Sequence, residues 1–354
     1  MPIINTVIAG GGTTPTGTKN ITTNGTHDVA AYEYADVQVP TTAPALYRAF
    51  GVDASGQLIA SRTDSNVMDF TGVKTIPDYF LIRAYYDNTA ISGPISLCDI
   101  ETVGTWSCNR MFYYCSNITS LDWHSLKTIG GTQYSCQEMF SHCTGLVSAD
   151  LSSLEEITSE QGCEYMFSGC SNLESVDLRS LRRTTKGSAL ARAFNNTKIT
   201  KMKFCSLKSI FQMCFASAFY QCQYLTEVSF FALQSLTGSF GTPTNHFSNM
   251  LSGCTNVTVR FPIALQATIG SWSDVTNGFG GTNTTVLFDI VTSLTGADTN
   301  TYTRQEKDST STATAWVYNS TLYYTSGTTE PVVGDTIYSD AACTTAVTTI
   351  SAIA

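Results

Sequence analysis

The residues of this chain that could carry chemistry are twelve cysteines, four histidines and a recurring set of aspartates. Six cysteines come in pairs seven positions apart: Cys108 with Cys115, Cys136 with Cys143, Cys163 with Cys170. Thiols so placed suggest zinc ligation or disulfides. Substitutions along the chain argue otherwise. Leu190, Thr197 and Phe215 occupy equivalent positions, and none of them makes a disulfide or a thiolate ligand. No C-x-x-C pair exists. The remaining reading is packing, since free cysteine behaves as a small apolar residue. No metal or cofactor is expected. His27, His124, His142 and His246 have no nucleophile near them in pattern, and Gly10-Gly11-Gly12 lacks the lysine and helix of a phosphate loop. No catalytic residue is expected, and the chain reads as a non-enzyme.

A repeat must position these residues. The phrase C-E-Y-M-F-S-G-C-S-N-L-E-S-V-D-L-R-S-L at 163–181 has earlier versions from Cys108 and Cys136. Aligning the last apolar residue of each expected strand gives Phe70, Leu97, Trp123, Leu151, Leu178, Phe204, Phe230 and Phe261. The steps are 27, 26, 28, 27, 26, 26 and 31 residues. An apolar residue sits two positions before each and another three after. This apolar-x-apolar-x-x-apolar period is the signature of a leucine-rich-repeat solenoid, expected here as an α/β fold of eight rungs of about 27 residues. Cys108, Met111, Phe112 and Cys115 stand at i, i+3, i+4 and i+7, which predicts a two-turn helix in each rung.

Strand alternation then assigns the outward positions. One line is Asp69, Ser96, Asp122, Asp150, Asp177, Lys203, Ser229 and Arg260, acidic early and basic late. A second is His124, Ser152, Arg179, Cys205 and Phe231. The binding candidates are Asp122, Asp150, Asp177, Lys203, His124, Arg179 and Phe231. Phe231 is expected to be exposed and to contact another subunit. A solvated polar face is the plainer account of the charged residues, and calcium is disfavoured because a flat sheet makes a poor cage.

The chain divides into an arm at 1–43, a cap at 44–66, the solenoid at 67–269, a closing segment at 270–305 and a small β module at 306–354. Asn24-Gly25 marks a turn between short strand-like runs in the arm. The cap would cover the apolar face of the first rung. V-L-F-D-I-V at 286–291 reads as a last strand.

Only 13 % of residues are charged, against about 25 % in ordinary soluble domains. A net charge of −9 argues against a nucleic-acid partner. There is no apolar run long enough to span a membrane, and the N-terminus lacks the basic region of a secretion signal, so export by that route is not expected.

The phrase C-x-x-M-F-x-x-C-x-N-L-x-S-V-D-L-x-S-L resembles the BspA-like leucine-rich repeats of bacterial and phage surface proteins, over about residues 67 to 265. N-I-T-T-N-G-T-H-D-V-A-A-Y-E-Y-A-D-V-Q-V in the arm, and E-P-V-V-G-D-T-I-Y-S-D-A-A-C-T-T near the end, are similar to segments of phage structural proteins. The resemblance implies a phage head or tail fibre, or a capsid decoration protein, located in the virion. It would attach to other virion proteins through residues 1–43 and offer its solenoid to a host surface or glycan. A homo-oligomer is expected, a trimer by analogy with fibres. The alternative is a bacterial cell-surface adhesin.

Overall fold

The computed structural model describes residues 18–21, 37–40, 74–76, 78, 81–238, 243–269, 278–305, 313–326 and 330–354. The cap, the rung at Phe70, Asp69 and His27 lie outside them. In the arm, β1 (Thr18–Ile21) pairs antiparallel with β2 (Val37–Pro40), on either side of the expected turn.

From residue 74 the chain coils as a parallel solenoid, and each coil has three sides. The first side carries seven short strands in one sheet: β3 (Thr75–Ile76), β5 (Thr102–Val103), β7 (Thr128–Ile129), β9 (Glu156–Ile157), β11 (Arg183–Thr184), β13 (Ser209–Phe211) and β15 (Ser235–Thr237). The second side is the aligned strand of the sequence. It is split into two four-stranded sheets. One holds β4 (Ser92–Ser96), β6 (Asn117–Asp122), β8 (Ser148–Asp150) and β10 (Ser175–Asp177). The other holds β12 (Lys201–Phe204), β14 (Glu227–Phe230), β16 (Thr258–Pro262) and β17 (Thr285–Ile290). In β17, Phe288 lies in register with Phe261 and Val286 with Val259. The 27-residue period therefore continues one strand beyond the last rung aligned from the sequence.

The third side corrects the helix reading. It is a ribbon of four-residue turns. Met111 N–H bonds to Cys108 O within its turn (3.1 Å), while Phe112 N–H bonds to Met139 O of the next coil (2.8 Å). An α-helix would send every N–H back four residues within the same segment. Here alternate N–H groups leave the coil, and every fourth residue (Trp106, Arg110, Tyr114) takes a positive φ of 53–61°. Such a φ costs a non-glycine residue roughly 1–2 kcal/mol, offset by the bonds it allows between coils. Two successive turns place Cys108, Met111, Phe112 and Cys115 inside, which is why they mimic a helix face. Among the described residues α-helix is confined to the single turn Gln266–Ile269 and to residues 278–279.

The core is a column of repeated side chains. Phe112, Phe140, Phe167, Phe194 and Phe219 stack with centroids 5.2–6.2 Å apart and planes within 15°. Offset stacking of this kind adds about 0.5–1.5 kcal/mol per pair beyond burial.

The C-terminal strands β18 (Ser293–Gly296), β19 (Thr301–Gln305), β20 (Ala313–Tyr318), β21 (Thr321–Ser326), β22 (Thr336–Tyr338) and β23 (Ala346–Ile353) form a closed antiparallel barrel. Its core is Val291, Leu294, Tyr302, Trp316, Ile337 and Ile350. The segment expected at 270–305 is thus shared: β17 completes the split face, and β18 and β19 belong to the barrel.

Candidate functional site

Among the described residues the expected outward line falls into two separate rows, and Ser229 within it is buried. Ser96, Asp122, Asp150 and Asp177 are register partners across adjacent strands. Lys203, Ser229 and Arg260 are partners in the second sheet. Asp122 and Lys203 are exposed, and Asp150 and Asp177 half-buried. The aspartates are occupied within their own coils. Oδ1 of Asp150 accepts the N–H of Ser152 (2.9 Å), and Oδ1 of Asp177 accepts that of Arg179 (3.0 Å). Asp122 makes a longer version to His124 N–H (3.4 Å). These are Asx turns that end each strand. The second outward line supplies the counter-charges. His124 Nδ1 lies 2.6 Å from Asp122 Oδ1, and Arg179 forms an ion pair with Asp177. Hydrogen bonding to Asp122, and its charge, raise the His124 pKa.

The basic end is engaged too. Arg260 Nε and Nη2 donate to Asp289 (3.0 and 2.9 Å), and Ser229, fully buried, bonds to Glu227 (2.6 Å). Phe231 departs from expectation. It is 7 % exposed, not an open aromatic. The guanidinium of Arg304 from the barrel lies 5.0 Å from its ring centroid and 5.7 Å from that of Trp316. Arg304 also bonds to Glu330 and to Val291 O. The partner of Phe231 is the protein's own C-terminal barrel, and two adjacent phenylalanines could not reveal that a distant arginine covers one of them.

The cysteines are free and mostly buried. Packing is only part of their work. Cys115, Cys143, Cys170, Cys222 and Cys254 each donate the thiol to a carbonyl oxygen of the preceding coil, at Tyr85, Phe112, Phe140, Phe194 and Phe219 (2.9–3.0 Å). Thr197 bonds to Phe194 O through its hydroxyl (2.9 Å). Burial raises the thiol pKa, to about 12 in Cys115, which keeps it a donor. Among the described residues no group of three or more His, Cys, Asp or Glu is placed to hold a metal ion.

The turn ribbon holds the side chains that the sequence reading missed. Its left-handed positions form three outward columns, and the early coils fill them with aromatic and charged residues. Trp106 and Tyr134 lie 4.6 Å apart in one column. In the next, Arg110 pairs with Glu138 (2.7 Å) and Tyr165 lies 5.2 Å from Arg192. In the third, Tyr114 stacks on His142 (4.5 Å, 8°) and is 44 % exposed. A Cβ on Gly169 would meet the His142 ring at 2.5–3.1 Å, so only glycine lets the imidazole lie there. Beside them Tyr86 stacks on Tyr113 at 4.9 Å, with Arg83 and Arg110 against their rings. The signal was available: Tyr86 and Tyr113, Trp106 and Tyr134, and Tyr114 and His142 recur at 27 or 28 residues. A polar ladder, Asn109 to Gln137 to Glu164, runs between the columns (3.0 and 2.9 Å). Burial pushes the Glu164 carboxyl pKa up.

A model of the BspA type leucine rich repeat region matches in six copies, over residues 107–226 and 136–258. The coils over 107–258 are thus similar to leucine-rich repeats of the BspA type. No curated protein matches the chain. Among solved structures, a leucine-rich repeat protein from Bacteroides ovatus aligns at 19 % identity with a TM-score of 0.34. The alignment covers 63 % of this chain and 54 % of that one.

Proposed function

We propose that the protein is a non-enzymatic adhesin whose recognition face is the turn ribbon of the early coils. The carrying observation is where Trp, Tyr and Arg collect. These types dominate binding hot spots, because Trp and Tyr bury large area with few rotamers and Arg offers a planar fork of donors. Trp106, Tyr113, Tyr114, Tyr134, Arg110 and Arg192 all lie on that ribbon. The aspartates of the split face are committed to turns and become secondary contacts. The partner is a host surface or its glycans.

The finer reading is a phage head or tail fibre or a capsid decoration protein. Residues 1–43 would anchor it to the particle, and its copies would form a homo-oligomer. It rests on the likeness of the two flanks to phage structural segments. A bacterial cell-surface adhesin is the alternative. An array carrying bacterial surface polysaccharides in one set and animal glycans and matrix proteins in another separates the two. The phage reading expects retention on the first set and the adhesin reading on the second. The joint variant Trp106→Ala, Tyr114→Ala, Tyr134→Ala should lose at least about tenfold in affinity. Unchanged retention by that variant sinks the ribbon as the recognition face.

A further inference from the structure

The split of the strand face coincides with several other irregularities at one coil. Leu97, Trp123 and Leu151 each donate their N–H to the next coil, at the carbonyl oxygens of Asp122, Asp150 and Asp177 (2.8, 2.9 and 3.1 Å). Among the described residues Leu178 makes no such bond to Lys203, and β10 is not paired with β12. Directly beneath lies a cavity of about 10 Å³, lined by Cys163, Met166, Leu178, Leu190, Ala193 and Phe194. It has room for about one water, but its apolar lining keeps it dry. Ala193 stands where the preceding coils carry Met111, Met139 and Met166, so the missing thioether accounts for the space. The phenyl stack is widest at the same place, 6.2 Å from Phe167 to Phe194 against 5.2 Å from Phe194 to Phe219. Val176 is half-buried, while its counterparts Leu121, Ala149 and Met202 are buried.

The other two sides of the same coil are intact. Arg183 pairs in register with both Glu156 and Ser209. On the turn ribbon, Phe167 N–H reaches Ala193 O (2.9 Å) and Gly169 N–H reaches Asn195 O (2.8 Å).

We infer that the solenoid is two blocks hinged between Leu178 and Phe204. The strand face opens, and the seven-stranded sheet and the turn ribbon bend as the hinge. Opening is cheap there because no backbone bond joins β10 to β12, the blocks being tied only ahead of these strands by Lys198 N–H to Leu173 O (2.9 Å), and because the packing under them is already incomplete. Neighbouring coils are sealed by both. The motion changes the angle between the aromatic coils and the C-terminal barrel, so the two ends of the molecule can adjust to surfaces of different curvature.

Native-state thiol labelling, read site by site with mass spectrometry, tests this on the full chain. Cys163 lines the cavity. Cys136 holds the same position one coil earlier and is as well buried, 0 % against 2 % exposed. Cys163 should be labelled about tenfold faster than Cys136 under conditions where the chain stays folded. Ala193→Met restores the methionine column and should bring the Cys163 rate down to that of Cys136. Should Ala193→Met overpack, Ala193→Val fills less of the space and should move the rate the same way. Equal protection of Cys163 and Cys136 in the unaltered chain overturns the hinge, and so does a Cys163 rate that neither filled variant slows.

Discussion

The two sheet-bearing sides of the solenoid share one backbone plan, parallel strands one coil apart, and handle charge in opposite ways. Beside the seven-stranded sheet, Lys74, Glu101, Lys127, Glu155 and Arg182 alternate in sign from coil to coil. Lys74 and Lys127 both reach Glu101 (3.2 and 2.6 Å), and Arg182 lies 3.7 Å from Glu155. Their partners are always in a neighbouring coil. On the split face Asp122, Asp150 and Asp177 repeat one sign, and each spends its oxygens inside its own coil. Like charges opposite each other weaken a sheet, so a same-sign row survives only where each member has a local partner. The difference teaches what a side-chain row can do in a repeat. Alternation ties coils together, whereas self-capping leaves each coil independent. The continuous sheet is tied throughout, whereas on the split face the self-capped half ends at Asp177 and the half beyond it is tied again, by Lys201 to Glu227 and Arg260 to Asp289.

The strongest way to break the between-coil side of this contrast lies in the core. Cys143→Ala removes the thiol that reaches back to Phe112 O and leaves a small void, which should cost about 2 kcal/mol. Cys143→Thr keeps a donor and Cys143→Val keeps only the shape. Thr197 shows that the position accepts a hydroxyl, although there it donates to Phe194 O of its own coil. The Thr variant should therefore be the more stable of the two by about 1 kcal/mol in urea denaturation. Identical midpoints for Thr and Val would mean that the sulfur is filler alone.

That residue also marks the limit of what the sequence made legible. The period, the strand positions and the burial of the cysteine phrase follow from spacing alone, because stacking forces one residue type into one place at every coil. The thiol bonds do not follow, since spacing says nothing about where a carbonyl points. The turn ribbon mimics a helix in sequence for a physical reason. Trp106, Arg110 and Tyr114 adopt positive φ without being glycine, so the usual mark of a left-handed residue is absent. Gly169 and Gly253 show it in one column only. The row of aspartates was visible, yet its role depends on the N–H two residues later, a backbone group that no side-chain pattern reports. The alternating row was also visible, at Lys74, Glu101, Lys127, Glu155 and Arg182. Apolar spacing alone does not report it, because these residues lie off the apolar positions that set the period.

A smaller effect sharpens the self-capped side. Asp150→Ala leaves the Ser152 N–H without its acceptor and should cost about 1 kcal/mol. Asp150→Asn keeps a carbonyl oxygen in the same place and removes one charge from a row of three. If capping is the role of this residue, Asn should match or slightly exceed the parent in thermal denaturation. An Asn variant as unstable as the Ala variant would show that the charge matters and the cap does not.

The smallest effects come from pH, and here the two sides should respond in opposite directions. The hydrogen bond and charge of Asp122 raise the His124 pKa above 6.5. A raised value means that the folded state binds the proton more tightly than the unfolded chain. This contribution is complete below pH 6.5 and fades as pH rises through the folded value. On the seven-stranded side the hydrogen bonds of Lys127 and Lys74 lower the Glu101 pKa below 4.5. That contribution is complete above pH 4.5 and fades as pH falls through the lower folded value. Both groups are exposed, so salt should shrink both effects. Asp122→Asn should flatten the thermal stability profile above pH 6.5 and leave the acid limb alone. Glu101→Gln should flatten the acid limb below pH 4.5 and leave the neutral limb alone. A single variant that alters both limbs would mean that the two rows are coupled through the coil, and the contrast between tied and self-capped charge would fail.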